Sequence, residues 1–521
     1  MLLSGCSWAV STAREPETGE GTVEIGARAG RPGAGDNAQR EGLVDRTKVP
    51  DIGEPSPLEL PRVEDYTLEY GLRVILVERH ELPLVNIQLL FPGGADAHAP
   101  AEAGLAAFTA DMLDEGTANR TALEIADGLD LLGASFTTSA GYDGSSVRLS
   151  VLRPNFEDAL EIVADVVMNP TFPEDDVERV RRERLTRIVQ RRDRPAALAD
   201  DAFHRVLYGE DHPYAMPLLG TPATLSALPR ERLVAFHRER YRPGGATLVV
   251  VGDIEREDLD TLVARTFAGW EGTADPVAPP AAPPPATGGT LYLVDRPGSA
   301  QSEIRIGAVA APRNTPAYVP LMVANTVLGG SFTSRLNQRI REEKGYSYGA
   351  YSYFDLRRGA GPFQAGAAVA TPVTDSAVVE FLNVIEGMSR EPAPDDELAR
   401  ARNYLAYRFP QHFETGGDVV ARLAELALYG LPSDFYETYV PAVLDVKPED
   451  VLEVARRYMD VAGMVVVIVG DRSIIEEPLR ALGVGAVEIL EDGAQDEADG
   501  AARGGPEGAG VDGAGANGTA S

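Results

Sequence analysis

LVVVGD at residues 248–253 and VVIVGD at residues 466–471 are near-copies of each other, separated by an offset of 218. Upstream of each copy, ILVER at 75–79 and YLVDR at 292–296 repeat with an offset of 217. Two separate matches that share almost one offset are difficult to obtain by chance, and such a repeat constrains the whole fold. The chain is therefore interpreted as a duplicated domain.

Composition divides the chain around this repeat. Three segments lack a sustained hydrophobic period and are rich in Gly, Pro, Ala or charged residues, which is typical of tethers and linkers. The predicted organisation is a lipobox-like N-terminus with a disordered tether (1–61), a first domain (62–273), a Pro-rich linker (274–289), a second domain (290–488) and a disordered acidic Gly/Ala tail (489–521).

Each half mixes strands and helices in unequal runs. Apolar patterns predict strands at 72–77, 85–91, 146–152 and 247–251, and again at 290–294, 303–308, 363–369 and 464–469. Three- and four-residue apolar spacing predicts helices at 102–115, 121–132, 155–167, 174–192 and 230–241, with Thr121 and Asn155 as N-caps. These runs predict an α+β fold of two homologous domains, each a mostly antiparallel sheet with helices packed on one face.

The charge balance of the 521-residue chain excludes one class of partner. The chain carries 80 acidic and 48 basic residues, for a net charge of −32. Nucleic-acid binding needs clustered Lys and Arg to neutralise phosphates, so no nucleic-acid partner is expected. No apolar run approaches the roughly 20 residues that a membrane-spanning helix needs. The negative net charge would favour the binding of basic peptides over acidic ones.

Cys6 is the single cysteine, which excludes an internal disulfide framework and any multi-cysteine metal site. It ends the run LSGC at 3–6, which resembles the lipobox at which bacterial lipoproteins are lipidated. The charged and apolar regions of a signal peptide are missing before it, which is explained if the start lies inside a longer reading frame. We expect lipidation of Cys6 and an extracytoplasmic protein that meets the membrane only through this anchor. The alternative is an ordinary cysteine in a cytoplasmic protein.

GLAAFTADML at 104–113 resembles the zinc-binding segment of the insulinase/pitrilysin metallopeptidases, the inverzincins. The family pattern is G-L-A-H-F-x-E-H-M-L, in which two His one helical turn apart ligate Zn²⁺ and a Glu acts as general base. Ala107, Ala110 and Asp111 occupy those three positions. Counting without gaps places Arg187 where the family has its third ligand, a Glu. The resemblance implies a degenerate site, and no zinc is expected in this chain.

GGSFTSRLNQRIREEKGYSY at 329–348 resembles the second signature of the same family, in which G-G precedes S-R-L and R-E precedes G-x-x-Y. In the family, the Arg and the Tyr seven residues later reach across a closed chamber to the substrate, and Arg341 and Tyr348 are the matching positions. A guanidinium can donate to a substrate carbonyl, and a phenol hydroxyl can hydrogen-bond a developing oxyanion. The resemblance implies that both residues contribute to a peptidase site.

Some members of the family divide the two sites between chains. In the mitochondrial processing peptidase and in several bacterial pairs, one subunit carries zinc and a metal-free partner can supply the Arg/Tyr pair. This sequence resembles that partner, which implies a non-catalytic subunit of a metalloendopeptidase complex, inactive alone. A homologous subunit would hold the zinc, and two half clam-shells would enclose an unfolded peptide. The alternative that the sequence leaves open is a free-standing pseudopeptidase that binds or scaffolds peptides without cleaving them.

Overall fold

The computed structural model describes Gly53, Pro55 and residues 62–284 and 289–491. Cys6 lies outside the described residues, as do almost all of the predicted tether and most of the predicted acidic tail. The rest of the chain forms two halves, each built on its own six-stranded sheet.

Six strands form the sheet of the first half: β1 (Val63–Thr67), β2 (Arg73–Glu78), β3 (Leu84–Pro92), β4 (Ser135–Ala140), β5 (Gly144–Leu152) and β6 (Thr247–Gly252). Their order is β1-β2-β6-β3-β5-β4. Only the pair β2 and β6 is parallel, so the sheet is mostly antiparallel.

Six further strands form the sheet of the second half: β7 (Thr290–Asp295), β8 (Gln301–Val309), β9 (Tyr351–Phe354), β10 (Pro362–Ala370), β11 (Val465–Gly470) and β12 (Ala486–Leu490). Their order is β12-β7-β11-β8-β10-β9. Strand β7 runs parallel to both β11 and β12, whereas the other three pairs are antiparallel.

The sequence repeat corresponds to a structural repeat. Ile75 pairs with Val249 between β2 and β6, and Tyr292, the repeat counterpart of Ile75, pairs with Val467 between β7 and β11. All eight predicted strands are present. The four strands that the sequence analysis missed, β1, β4, β9 and β12, lie at the edges of the two sheets. Edge strands such as β4 alternate between exposed and half-buried residues, so they lack a continuous apolar run.

Fifteen α-helices surround the sheets in the described residues. The first half contains α1 (Leu105–Asp111), α2 (Ala122–Leu131), α3 (Phe156–Met168), α4 (Glu174–Arg192), α5 (Pro195–Tyr208), α6 (Pro222–Ala227), α7 (Arg230–Arg240) and α8 (Arg256–Thr266). The second half contains α9 (Tyr318–Leu328), α10 (Thr374–Arg390), α11 (Asp395–Arg408), α12 (Gly416–Tyr429), α13 (Phe435–Asp445), α14 (Pro448–Tyr458) and α15 (Arg472–Ala481). Across residues 62–284 and 289–491, no helix has both the length and the apolarity of a membrane span.

Helix α1 is shorter than the predicted helix 102–115. Gly104 has a left-handed φ of 93°, so the helix begins after it, and the residues before it form a separate 3₁₀ turn. At the other end, the amide of Met112 donates to the carbonyl three residues back, which closes the helix. Thr121 caps α2 through a capping box, as predicted. Asn155 stands at the N-cap of α3 but donates its side-chain amide to the Leu132 carbonyl instead.

A helix from each half packs on the sheet of the other half. Phe203 of α5 is fully buried, in one cluster with Val294 of β7 and Val465 and Val467 of β11. In the opposite direction, Leu423 of α12 belongs to the cluster that contains Ile75, Val77, Val249 and Val251 of the first sheet. Every residue of β6 and of β11 is therefore buried, because each central strand has its own helices on one face and a borrowed helix on the other.

The turn between β9 and β10 supplies the polar part of the same interface. Arg357 is buried, lies 2.6 Å from Asp355 and stacks 3.6 Å above the centre of the Tyr142 ring in the first half. Arg358 donates to Asp96 at 2.9 Å. Burial raises the pKa of Asp96 to about 6, against the opposing effects of a backbone hydrogen bond from Gly94 and the Arg358 charge. The two halves are thus joined by the Arg358–Asp96 ion pair and the Arg357–Tyr142 cation–π contact as well as by apolar contact.

The described part of the Pro-rich linker, 274–284, contacts both halves. The Val277 carbonyl accepts a hydrogen bond from Arg358 of the second half. Nearby, the Ala281 carbonyl accepts from the His212 ring at 3.0 Å, and the Asp275 carbonyl accepts from Arg240 at 2.9 Å. Proline-rich backbone cannot satisfy its carbonyls internally, so these side chains provide the donors.

We expect Phe203→Ala to lower the free energy of unfolding by about 3 to 5 kcal/mol, because it leaves a cavity between α5 and the second sheet. Urea denaturation followed by circular dichroism measures the change. Leu123→Ala is the matched control, since Leu123 on α2 is 69% exposed and should shift stability by no more than about 0.5 kcal/mol. Equal effects of the two substitutions would contradict the role assigned to α5.

Candidate functional site

Helix α1 carries three of the predicted site positions on a buried element. Leu105 and Phe108 belong to the core of the first half. A Cβ at Gly104 would lie 2.9 Å from the Leu219 carbonyl oxygen, so only glycine permits this close approach to the loop 218–220. The packing of α1 therefore depends on apolar contact and a glycine turn.

Asp111 ends α1 and accepts hydrogen bonds from two arginines of α4. Arg184 Nη1 lies 2.5 Å from Asp111 Oδ2, and Arg187 Nη2 lies 3.4 Å from the same oxygen. Arg184 Nη2 also donates to the carbonyls of Leu218 and Leu219, at 3.4 and 3.1 Å. The structure thus brings together Asp111 and Arg187, two of the four predicted degenerate positions, in one ion-pair cluster.

Sequence reasoning missed Arg184, which is only 2% exposed. The other buried residues of α4 are Val177, Val180 and Ile188, and Arg184 continues their three- and four-residue spacing. An arginine at an apolar position of an amphipathic helix needs a counter-ion inside the protein. The position of Arg184 in the apolar spacing of α4 is therefore the sequence feature that could have predicted its ion pair. Arg184 also lies one helical turn from Arg187, on the same side of the helix.

The charges at this site oppose a metal ion. Burial lowers the pKa of the Arg184 guanidinium from its ordinary value, while the Asp111 carboxylate raises it. The Asp111 carboxylate is already engaged by two guanidinium groups, and Ala107 and Ala110 offer only methyl groups. Zinc requires several N, S or O ligands, and no group of three His, Cys, Asp or Glu side chains in the described ranges is placed to hold one. The residues at α1 do not fit zinc.

Arg341 and Tyr348 lie side by side on the second half. Residues 337–343 form a single π-helical segment that carries Arg341, and Tyr348 follows in the loop that leads to β9. Asn337 ties the two ends together, because its Oδ1 accepts from the Ala350 amide at 3.1 Å. The π-helical segment and this side-chain bridge therefore place the Arg and the Tyr in contact.

The Arg341 guanidinium lies near two aromatic rings. Its Cζ is 4.4 Å from the centre of the Phe332 ring and 5.4 Å from that of Tyr348. Tyr348 is 93% exposed and Phe332 is 65% exposed, and the Tyr348 hydroxyl makes no hydrogen bond to any described residue. Arg341 Nε lies 3.5 Å from Glu342, a separation too long for a strong hydrogen bond. The Tyr348 hydroxyl is therefore open to solvent, whereas the Arg341 side chain is 28% exposed beside it.

Phe332 was missed because the second signature leaves its position variable. The sequence feature that could have identified Phe332 is its large apolar side chain in an otherwise polar segment, between the Gly pair at 329–330 and Arg335. The structure does not join the Arg341 cluster to the Asp111 site: within the described residues, no hydrogen bond, ion pair or cation–π contact connects them. The single chain thus carries two separate groups of candidate residues.

Two six-stranded sheets with exchanged helices, together with an Arg–Tyr pair on the second half, match the two-domain α+β scaffold of a class of peptidases. A family model described as "Insulinase (Peptidase family M16)" matches residues 73–221, and one described as "Peptidase M16 inactive domain" matches residues 227–405. The chain belongs to the peptidase M16, or insulinase, family.

Relatives and solved structures agree with this assignment. An uncharacterized zinc protease of Mycobacterium leprae is 31% identical over 58% of this chain and 68% of its own length. Another from Mycobacterium bovis is 28% identical over 75% of this chain and 90% of its own length. The crystal structure of a peptidase M16 inactive domain from Pseudomonas fluorescens superposes with a TM-score of 0.73 at 28% identity, covering 78% of this chain and 98% of that one. The predicted family and the predicted fold are both confirmed.

We expect Asp111→Asn to destabilise the chain by about 3 kcal/mol, because it leaves the Arg184 guanidinium buried without a counter-ion. Arg187→Gln removes a half-exposed partner of the same carboxylate and should cost less than about 1 kcal/mol. Urea denaturation of both variants measures the difference. If the two losses were equal, Arg184 would not be the principal partner of Asp111.

Proposed function

We propose that this chain is the non-catalytic subunit of an M16 zinc peptidase and pairs with a zinc-bearing chain of the same fold. The observation that carries the proposal is the contrast between its two groups of residues. At α1, the metal-binding positions hold two alanines and an aspartate engaged by arginines. On the second half, the 93% exposed Tyr348 lies beside Arg341, whose side chain is 28% exposed and makes a long contact with Glu342.

The proposed role of Arg341 and Tyr348 is to bind substrate at the partner's zinc. A guanidinium holds its N–H donors in a fixed plane, so it can donate to a peptide carbonyl in a defined orientation. A phenol hydroxyl placed against the developing oxyanion stabilises the transition state more than the ground state, which is the requirement for catalysis. Phe332 stacks on Arg341 and restricts its rotamers, so the donor is positioned before substrate binds.

The proposed substrate is an unfolded peptide. An extended peptide can add to an exposed sheet edge by main-chain hydrogen bonds, and each sheet has two edge strands. This chain would be inactive alone, because the general base and the metal ligands would both come from the partner. The zinc, correspondingly, would be held by the partner subunit.

We expect Tyr348→Phe and Arg341→Ala to lower kcat/KM of the two-chain complex by about 100-fold, the usual cost of one oxyanion donor. The assay co-expresses this chain with a homologue that retains H-x-x-E-H and follows cleavage of an unstructured peptide. Chelator should abolish activity, and metal analysis should find zinc in the partner and no stoichiometric zinc in this chain purified alone.

Arg390→Ala is the control for loss of a surface arginine, since Arg390 is 64% exposed on α10 and pairs within its own helix. It should leave kcat/KM unchanged. Cleavage by this chain alone would contradict the non-catalytic role. Peptide binding by this chain alone, with no mate co-purifying from the native host, would instead favour a free-standing pseudopeptidase.

We also propose that Cys6 is lipidated and holds the chain at a bacterial membrane outside the cytoplasm. The support is the LSGC run and the more than 50 tether-like residues that separate Cys6 from β1 in the sequence. A single acyl chain binds membranes only marginally, so stable anchoring requires the multiple acyl groups of a lipoprotein.

We expect mass spectrometry of the protein from its native host to find a diacylglycerol-type modification on Cys6. Cys6→Ser should move the chain from the membrane fraction to the soluble fraction, because the anchor is lost. The matched substitution Ser7→Ala should leave it in the membrane fraction. An unmodified Cys6 in the native host would show the anchor proposal to be wrong.

A further inference from the structure

We infer that the pocket enclosed by α4, α5 and the segment 215–223 binds a large apolar side chain, of the Leu, Met or Phe class, from the bound peptide. The inference rests on the proposed function for the peptide nature of the ligand, and it adds the class of side chain that the peptide carries. The cavity has a volume of about 480 Å³. Pockets of roughly 300–1,000 Å³ are the usual size of ligand sites.

The interior of this pocket is apolar and comes from both halves of the chain. Three of its residues are buried: Ile188 of α4, Ala202 of α5 and Val294 of β7. The half-buried apolar residues that complete the lining include Leu198, Met216 and Leu219. An apolar side chain that enters the pocket would leave water and contact apolar groups on several sides, which makes its transfer favourable.

The charged residues at this pocket balance one another. Arg191 of α4 lies 2.8 Å from Asp201 of α5, so these two charges neutralise each other. The other charged lining residues, two of each sign, are Arg192, Arg205, Glu210 and Glu491. Without a net charge, the pocket gives no advantage to an acidic or a basic side chain, and a single charge buried there would lack a counter-ion. The apolar interior therefore decides the class of ligand.

The pocket is continuous with the α1 site. Leu219 lines it, and the carbonyl of the same residue accepts a hydrogen bond from Arg184 at 3.1 Å. Arg191 is one helical turn along α4 from Arg187, which contacts Asp111. In a relative that carries zinc, the metal must contact the peptide bond that is cleaved, so the peptide passes this place. One helical turn is about 5.4 Å and an extended peptide advances about 3.3 Å per residue, so a side chain two or three residues away would reach the pocket.

The chain's own C-terminal segment is the other candidate occupant, because Glu491 lines the pocket and the chain continues from it. Residues 492–521 contain no Leu, Ile, Met or aromatic residue, and their only branched apolar side chain is Val511. This segment lacks a side chain that would fill an apolar cavity of this size. The occupant that we propose is therefore a side chain of the bound peptide.

Fluorescence anisotropy of the full chain tests the inference with two labelled, unstructured peptides that differ at one position, with Phe in one and Ala in the other. The Phe peptide should bind about tenfold more tightly, because the pocket removes its ring from water. Ala223→Trp places a large side chain at the exposed rim of the pocket and should reduce the affinity for the Phe peptide to that for the Ala peptide. Ala442→Trp is the matched control, since Ala442 is exposed on α13 and lies outside the pocket, and it should leave the tenfold ratio unchanged.

Met216→Ala is a second variant of the lining, which shortens one wall of the pocket without adding bulk. It should weaken binding of the Phe peptide by about threefold, because apolar contacts are lost, and leave binding of the Ala peptide unchanged. Unchanged unfolding midpoints establish that the variants are folded.

Equal affinity of the unaltered chain for the Phe and Ala peptides would overturn the inference, as would a preference for Phe that survives Ala223→Trp. If both peptides bound equally and in an Arg341-dependent way, the proposed function would stand without the inference. If neither peptide bound, to the chain or to its complex with a zinc-bearing mate, both proposals would fail. A synthetic peptide of residues 492–521 is the last arm: it should not displace the Phe peptide, and displacement would assign the pocket to the chain's own C-terminal segment, against the inference.

Discussion

The exchange of helices between the two halves is the constraint on which the rest of the structure depends. Helix α5 buries Phe203 against β11, and α12 buries Leu423 against the first sheet. Because each central strand is covered on both faces, neither sheet could keep its core if the halves separated. The buried Arg358–Asp96 ion pair crosses the same interface, where removal of one partner would leave an uncompensated charge. The two groups of candidate residues are thereby carried on halves that share one buried interface.

The packing of α1 uses no metal-ligating side chain. The contacts that place α1 are apolar side chains and the close approach at Gly104, none of which involves the metal-facing positions. With alanines at two of those positions, the carboxylate of Asp111 is balanced by Arg184 and Arg187 instead of by a cation from solution. Arg184 cannot be exchanged freely, because it is buried and also donates to backbone carbonyls.

Much of the fold could be predicted from the chain alone, and the exceptions share a cause. The central strands were predicted because continuous Val, Ile and Leu runs are a local signal, and Thr121 was predicted because capping is local as well. The four edge strands were missed because half-exposed residues produce only a weak hydrophobic pattern in the sequence. The length of α1 was overestimated, since the left-handed Gly104 that begins it is favoured by the close approach of a loop more than a hundred residues later. Arg187 was predicted as a site residue by counting along α4. The contacts of Arg184 and Phe332 depend on residues that are near them only in the folded chain, so neither residue was predicted.

By itself, the sequence determined the duplicated α+β architecture, the family, and the absence of zinc ligands from α1, because each of these depends only on residue identity and spacing. Only the tertiary structure decided that Asp111 is held by two arginines, that Phe332 stacks on Arg341 beside Tyr348, and that the central strands are covered on both faces. The physical reason is that burial and charge pairing are properties of neighbours in space. The counter-ion of Arg184 in α4 is Asp111 in α1, and the second face of β6 or β11 is covered by a helix from the other half of the chain. Neither contact can be predicted from the local sequence of α4 or of the strand.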